Sequence, residues 1–332
     1  MEALGARASE VARRAAPLAG RKSELLARSR TSPFWKDKSA ARSALDEVHR
    51  LEVVVEAASR AEGAARAAAG LLSAPAAQRR AARLDERLDG LAREVAWADG
   101  LVRAAESGDL GDAYVRITRV KAEVDDLDAV ARLAAMYEGY AKRRGLEVET
   151  VDDRRTGDPV EDSITLLVSG AGAHALLAGE EGFHPFVSRH GRTGKGAHRP
   201  ARAWARVDVL PVPDGDDATL AEAVRVRTKS LRAVKGRRIA KPALEVSLLH
   251  EPTMVGLTAW AAGAKEPAVG RLLPLLRALV ERSRRGAGPA AVVVRRYELG
   301  ASPRASDRRT HRDTGHVDRV LRGELDLLLP VD

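Results

Sequence analysis

Two stretches of this 332-residue chain carry positive charge with no compensating acid. Between Gly182 and Val207 stand Arg189, Arg192, Lys195, Arg199, Arg202 and Arg206, with no Asp or Glu among them. Between Arg225 and Lys241 stand Arg225, Arg227, Lys229, Arg232, Lys235, Arg237, Arg238 and Lys241, again without an acid. Lysine and arginine in such runs gain by displacing condensed counterions from a polyanion, so phosphate contact is the chemistry they suit. A merely solvated charged face usually interleaves both signs. The whole chain has a formal net charge of +9, which favours nucleic acid as partner.

Other chemistries find little support. Gly191-Arg192-Thr193-Gly194-Lys195-Gly196 has the composition of a phosphate loop but not its spacing. That loop needs a glycine five residues before its Gly-Lys pair and a Ser or Thr after it. Those positions hold Arg189 and Gly196. His184, His190 and His198 match no common metal spacing and sit among cations that would repel one. The chain has no cysteine, hence no thiol nucleophile or disulfide, and it has no nucleophile-elbow motif. No run of about 18 apolar residues predicts a membrane span. The N-terminus lacks an apolar h-region, so no signal peptide is expected.

The elements that must hold the basic runs are legible in outline. In residues 1–110, Leu45, Val48, Leu51 and Val55, then Leu84, Leu88, Leu91 and Val95, recur at three- and four-residue steps. With a break at Pro75, they predict a helical hairpin or small bundle. From Asp112 the pattern changes. Tyr114–Ile117 alternates as a strand, and a helix from about Asp125 to Arg144 is closed by Gly145. Strand-like runs follow at Ser163–Val168 and Val207–Val212, then a turn-rich seam at 211–217. Val224–Arg227, Leu244–Leu249 and Val255–Thr258 predict a small sheet, followed by a helix from about Ala268 to Arg285. After a second seam at 286–289 come a strand at Ala291–Tyr297 and a short helix at Val317–Arg322. The expected class is α+β, multidomain.

Several motifs, in order along the chain, resemble one family. They are Ser32-Pro33-Phe34-Trp35-Lys36-Asp37, Asp112-Ala113-Tyr114 through Met136-Tyr137, and Gly179-Glu180-Glu181-Gly182-Phe183-His184. Val207-Asp208-Val209-Leu210-Pro211 and His250-Glu251-Pro252-Thr253 continue the series. Val294-Arg295-Arg296-Tyr297, Asp307-Arg308-Arg309-Thr310 and Val320-Leu321-Arg322-Gly323-Glu324-Leu325-Asp326 complete it. Together, over about residues 30–328, they resemble bacterial class I peptide chain release factors of the type that reads UAA and UGA.

The resemblance implies a helical domain (1–110), a central mixed domain (112–218) completed by 290–332, and a third domain (221–288) that carries hydrolysis in the family. It also locates what this chain lacks. The family's Gly-Gly-Gln tripeptide falls on Lys235-Gly236-Arg237, and its codon-reading tripeptide near His190-Gly191-Arg192. Lysine cannot take the backbone angles open to glycine. Arginine only donates hydrogen bonds, whereas glutamine both donates and accepts, and a fixed cation would place a nucleophilic water differently. The family's Arg-Ser-Gln-His stretch is replaced by Gly263-Ala264-Lys265-Glu266, and His-Thr-Ser-Phe by Ala201-Arg202-Ala203-Trp204. Trp204 is suited to stacking on a base or to a place in the core.

The expectation is therefore a cytoplasmic, monomeric protein, not an enzyme, with the ribosome and ribosomal RNA as partners. Its RNA contacts would be Arg189, Arg192, Lys195, Arg199, Arg202, Arg206, Lys229, Arg232, Lys235, Arg237, Arg238 and Lys241. No cofactor, metal, membrane or small-molecule substrate is expected. Two other readings stand beside it: an interaction protein that reuses the scaffold for a non-ribosomal partner, and a hydrolase with its loop rebuilt around Arg237.

Overall fold

The structure, a computed structural model, describes residues 2–72, 84–122, 127–154, 162–188, 201–215, 217–231, 244–261, 263–286 and 291–328. The expected break at Pro75 lies outside them. Contacts divide the chain into two compact units, one of 1–111 with 170–176, the other of 112–169 with 177–330.

The first unit is built on three helices: α1 (Glu2–Ser29), α2 (Lys38–Leu72) and α3 (Leu84–Glu106). Their buried stripes are rich in alanine. Ala8, Val11 and Ala15 of α1 meet Val54, Ala57, Ala58, Ala61 and Ala65 of α2, and Leu91, Val95, Ala98 and Leu101 of α3. Small side chains let helix axes approach closely, so the bundle needs few large residues to close. Asp99, only 6% exposed, lies within the bundle and is held by Arg7, Arg14 and Arg103 at 3.2, 2.8 and 3.1 Å.

The second unit contains an eight-stranded sheet. Its strands are β1 (Ala113–Ala122), β2 (Glu147–Asp153), β3 (Ser163–Ser169), β4 (Gly182–Ser188), β5 (Ala201–Pro211), β9 (Arg295–Leu299), β10 (Arg304–Asp307) and β11 (Asp313–Thr314). Their order is β11-β10-β9-β4-β5-β1-β3-β2. All neighbours are antiparallel except β4 and β9, which pair in parallel. Helix α4 (Ala129–Arg143) packs on one face. Gly145 ends it at φ +67°, and the Leu146 N–H donates to the Ala141 carbonyl at 2.9 Å. Only glycine reaches that angle without a Cβ clash, which is why the sequence marks this terminus clearly.

Strands β6 (Val224–Ser230), β7 (Leu244–His250) and β8 (Val255–Ala261) make a second sheet, backed by α5 (Lys265–Arg284). Val246, Leu248, Leu257, Leu272, Leu275 and Leu276 form one core with Tyr114, Val151 and Leu210 of the large sheet. Residues alternate across a strand, so Val115, Ile117, Val207 and Val209 point to the other face, where α4 lies. Three polar ties accompany this core. The Trp260 N–H donates to Asp152 at 2.8 Å. Arg282 reaches Glu181 at 2.6 Å and Asp208 at 3.5 Å, and Arg277 donates to the Asp214 carbonyl at 3.0 Å.

Strand β4 had no place in the pattern read from the sequence, and β5 begins six residues earlier than the run that signalled it. β4 sets histidine and proline between its two phenylalanines, and β5 opens with arginines between alanines, which blurs the period-two alternation.

Candidate nucleic-acid interface

Each basic run is bracketed by paired strands. Ser188 at the end of β4 is opposite Ala201 at the start of β5, so the described residues on either side of 189–200 are neighbours. Ser230 and Leu244 oppose each other on β6 and β7 and bracket residues 231–243 in the same way. Among the candidate contact residues, Arg202, Arg206 and Lys229 are described. Arg189, His190, Gly191, Arg192, Lys195, Arg199, Arg232, Lys235, Gly236, Arg237, Arg238 and Lys241 lie outside the described residues.

Arg202, Trp204 and Arg206 share one face of β5, and exposure rises along it. Leu210 and Asp208 are buried, Arg206 and Trp204 half-buried, and Arg202 exposed. Arg206 is already engaged. Its Nη2 lies 3.2 Å from Asp208, and its Nε is buried without a hydrogen-bond partner. Trp204 meets Phe183 edge to face, 6.2 Å between centroids at 73°. That geometry is a packing contact. Arg202 alone of the three is turned to solvent.

On β6, Arg225, Arg227 and Lys229 alternate onto a single face of an edge strand. Arg225 is 2.5 Å from Glu251. Arg227 stands opposite Ser247, whose hydroxyl is bonded to that of Thr258 at 3.1 Å. Lys229 stands opposite Glu245, whose carboxylate accepts from the Trp260 indole at 3.3 Å. Arg227 and Lys229 have no ion-pair partner among the described residues. Charge on an edge strand also discourages strand addition by another chain. Arg202 lies on the large sheet and Lys229 on the small one, so the two runs are held by different sheets of the same unit.

The PCRF domain matches residues 18–199, over half of the sequence. The chain belongs to the peptide chain release factor family. It is similar to peptide chain release factor 2 of Phenylobacterium zucineum (strain HLK1), 27% identical over 92% of this chain and 88% of that protein. It is also similar to peptide chain release factor 2 of Caulobacter sp. (strain K31), 30% identical over 67% of this chain and 64% of that protein. Among solved structures, release factor 2 of Thermus thermophilus matches with a TM-score of 0.54 at 23% identity, over 94% of each chain. That likeness is one of fold, and it agrees with the α+β class and the helical N-terminal region.

Several of the release-factor motifs meet in a cluster that sequence reasoning did not find. Arg295 is fully buried, its Nε donating to Asp307 at 2.9 Å and its Nη1 to Glu180 at 2.7 Å. Arg309 reaches the same carboxylates at 2.6 and 3.0 Å, and the Tyr137 hydroxyl donates to Glu180 at 3.3 Å. Burial alone would raise the Asp307 carboxyl, but the Arg309 hydrogen bond and the charges of Arg295 and Arg309 hold it down at about 2. His184 stands beside them, its Nε2 donating to the Glu180 carbonyl at 3.0 Å, and burial lowers it to about 4, so it is neutral at pH 7. Glu180, His184, Arg295 and Asp307 are buried, whereas Arg309 is partly exposed. The cluster's sequence signal is the arginine pair Arg295-Arg296 set between Val294 and Tyr297, which does not name its partners.

Proposed function

We propose that this chain is a ribosome-associated, release-factor-like protein that binds ribosomal RNA in or near the A site. In this reading it neither reads a stop codon nor hydrolyses peptidyl-tRNA. The observation that carries the proposal is a run of eight cations and no acid around Lys235-Gly236-Arg237, the position where the resemblance puts the family's Gly-Gly-Gln. Family chemistry is removed while affinity for phosphate is kept. The exposed Arg227 and Lys229 on β6, and Arg202 on β5, support the same reading, because none has an ion-pair partner among the described residues to lose on meeting phosphate.

Co-sedimentation of the purified protein with 70S ribosomes across a salt series tests it, together with a peptide-release assay on programmed ribosomes. Binding that weakens steeply with salt, with release at background on both stop and sense codons, is expected. Absence of binding at low salt would sink the proposal and favour the non-ribosomal reading. Release that Arg237→Ala abolishes would establish the hydrolase instead.

A further inference from the structure

The tip of the helical unit, where α1 gives way to α2, sets an aromatic ring among exposed cations. A single turn of 3-10 helix, Ser32–Lys36, makes the corner. Trp35 there is 54% exposed. Its indole N–H donates to the Ser29 carbonyl at 2.8 Å, and Phe34 lies edge-on to it, 5.1 Å between centroids at 78°. The ring is thus oriented from two sides and its one polar group is already satisfied. What it offers to solvent is a π surface without a free donor.

Arg28, Arg30, Lys36, Lys38 and Arg42 surround this ring in sequence, and all are exposed. The only acid in residues 28–42 is Asp37. Its Oδ1 is occupied in capping α2, accepting from the Ser39 and Ala40 N–H groups at 3.0 Å each. None of the five cations has an ion-pair partner among the described residues. The contrast within the same helices is sharp. Arg7 and Arg14 are bonded to Asp99, Arg21 to Glu47, and Lys22 lies 3.6 Å from Glu52. Pairing stops where the tip begins.

We propose that this tip is a second RNA-binding surface, on which Trp35 stacks one unpaired base while Arg30, Lys36 and Lys38 hold the adjoining phosphates. A fixed ring with no free donor stacks on any base and reads none, and flanking cations follow the backbone. Bases in a duplex are already stacked on one another, so single-stranded RNA is preferred. The inference shares the expectation of an RNA partner with the functional proposal but rests on other residues in the other unit.

The test is fluorescence anisotropy of the full-length protein with a short labelled single-stranded RNA and with a duplex of equal length, at several salt concentrations. Trp35→Ala is expected to weaken single-strand binding about tenfold, and duplex binding less than about twofold. Trp35→Leu, which keeps apolar bulk without the π surface, should match it, with thermal melts unchanged. Lys36→Gln with Lys38→Gln should weaken both RNAs and reduce the salt slope by about two. Unchanged single-strand affinity in both Trp35 variants would overturn the inference. So would an acidic amphipathic peptide that binds in a Trp35-dependent way while RNA binding stays unaffected. If ribosomes fail to bind but Trp35-dependent RNA binding persists, the functional proposal falls and the tip stands. Salt-sensitive ribosome binding with no Trp35 effect on single-stranded RNA would instead overturn the tip and leave the functional proposal standing.

Discussion

Arginine is used in opposite ways at two places in the second unit. In the large sheet, Arg295 is fully buried between Asp307 and Glu180, with Arg309 behind it. In the small sheet, Arg227 and the neighbouring Lys229 stand exposed on an edge strand. The difference follows from solvation. A guanidinium taken out of water must be matched by carboxylates and well-directed hydrogen bonds, and once matched it can no longer meet an outside anion. A cation left in water costs the fold nothing and remains available. Surplus arginine therefore serves structure in the buried Arg295 cluster and is open to recognition at Arg227.

The largest expected effect breaks the buried side. Arg295→Met leaves Glu180 and Asp307 with Arg309 alone, and should destabilise the protein by about 3–5 kcal/mol in a denaturant titration. A loss below about 1 kcal/mol would show that Arg309 suffices and that the buried cation is dispensable.

The second effect lies on the seam between the sheets. Burial raises the Asp152 carboxyl from 3.8 to about 6, against the Trp260 N–H and the charges of Arg154 and Arg116. The folded state therefore holds this proton more tightly than the unfolded chain does. The contribution is most favourable below about pH 4 and is lost as pH rises towards 6, roughly 3 kcal/mol in all. Asp152→Asn keeps an acceptor for Trp260 and should erase that slope. Melts of the two proteins from pH 4 to 7 should diverge in this sense, and parallel curves would count against it.

The smallest stability effect sharpens the exposed side. Arg227→Gln with Lys229→Gln should leave stability within about 0.5 kcal/mol. The same variant should bind ribosomes more weakly, with the salt slope reduced by about one for each cation lost. A large loss of stability would mean that the edge strand depends on these charges for its own folding.

Element types and order were largely legible. Leucine and valine at helical spacing marked α2 and α3, Gly145 marked the end of α4, and short apolar runs marked β7 and β8. The strands that bracket the first basic run were less so: β4 reads Gly-Phe-His-Pro-Phe-Val-Ser, and β5 opens on alternating alanine and arginine. Their places come from pairing with β1 and β9, partners distant in the chain.

For the candidate site, the sequence by itself determined where the cations are and that no acid accompanies them. Composition and order suffice for such statements, since charge is a property of residue type. Only the tertiary structure decided which described cations are available. Arg202 and Arg206 differ by four positions and look alike in the sequence, yet Arg206 is tied to Asp208 and Arg202 is turned to solvent. Trp204 and Trp35 part in the same way, the one half-buried against Phe183 and the other exposed at a helical tip. Burial and pairing depend on what the fold brings near a residue, and those neighbours come from remote parts of the chain.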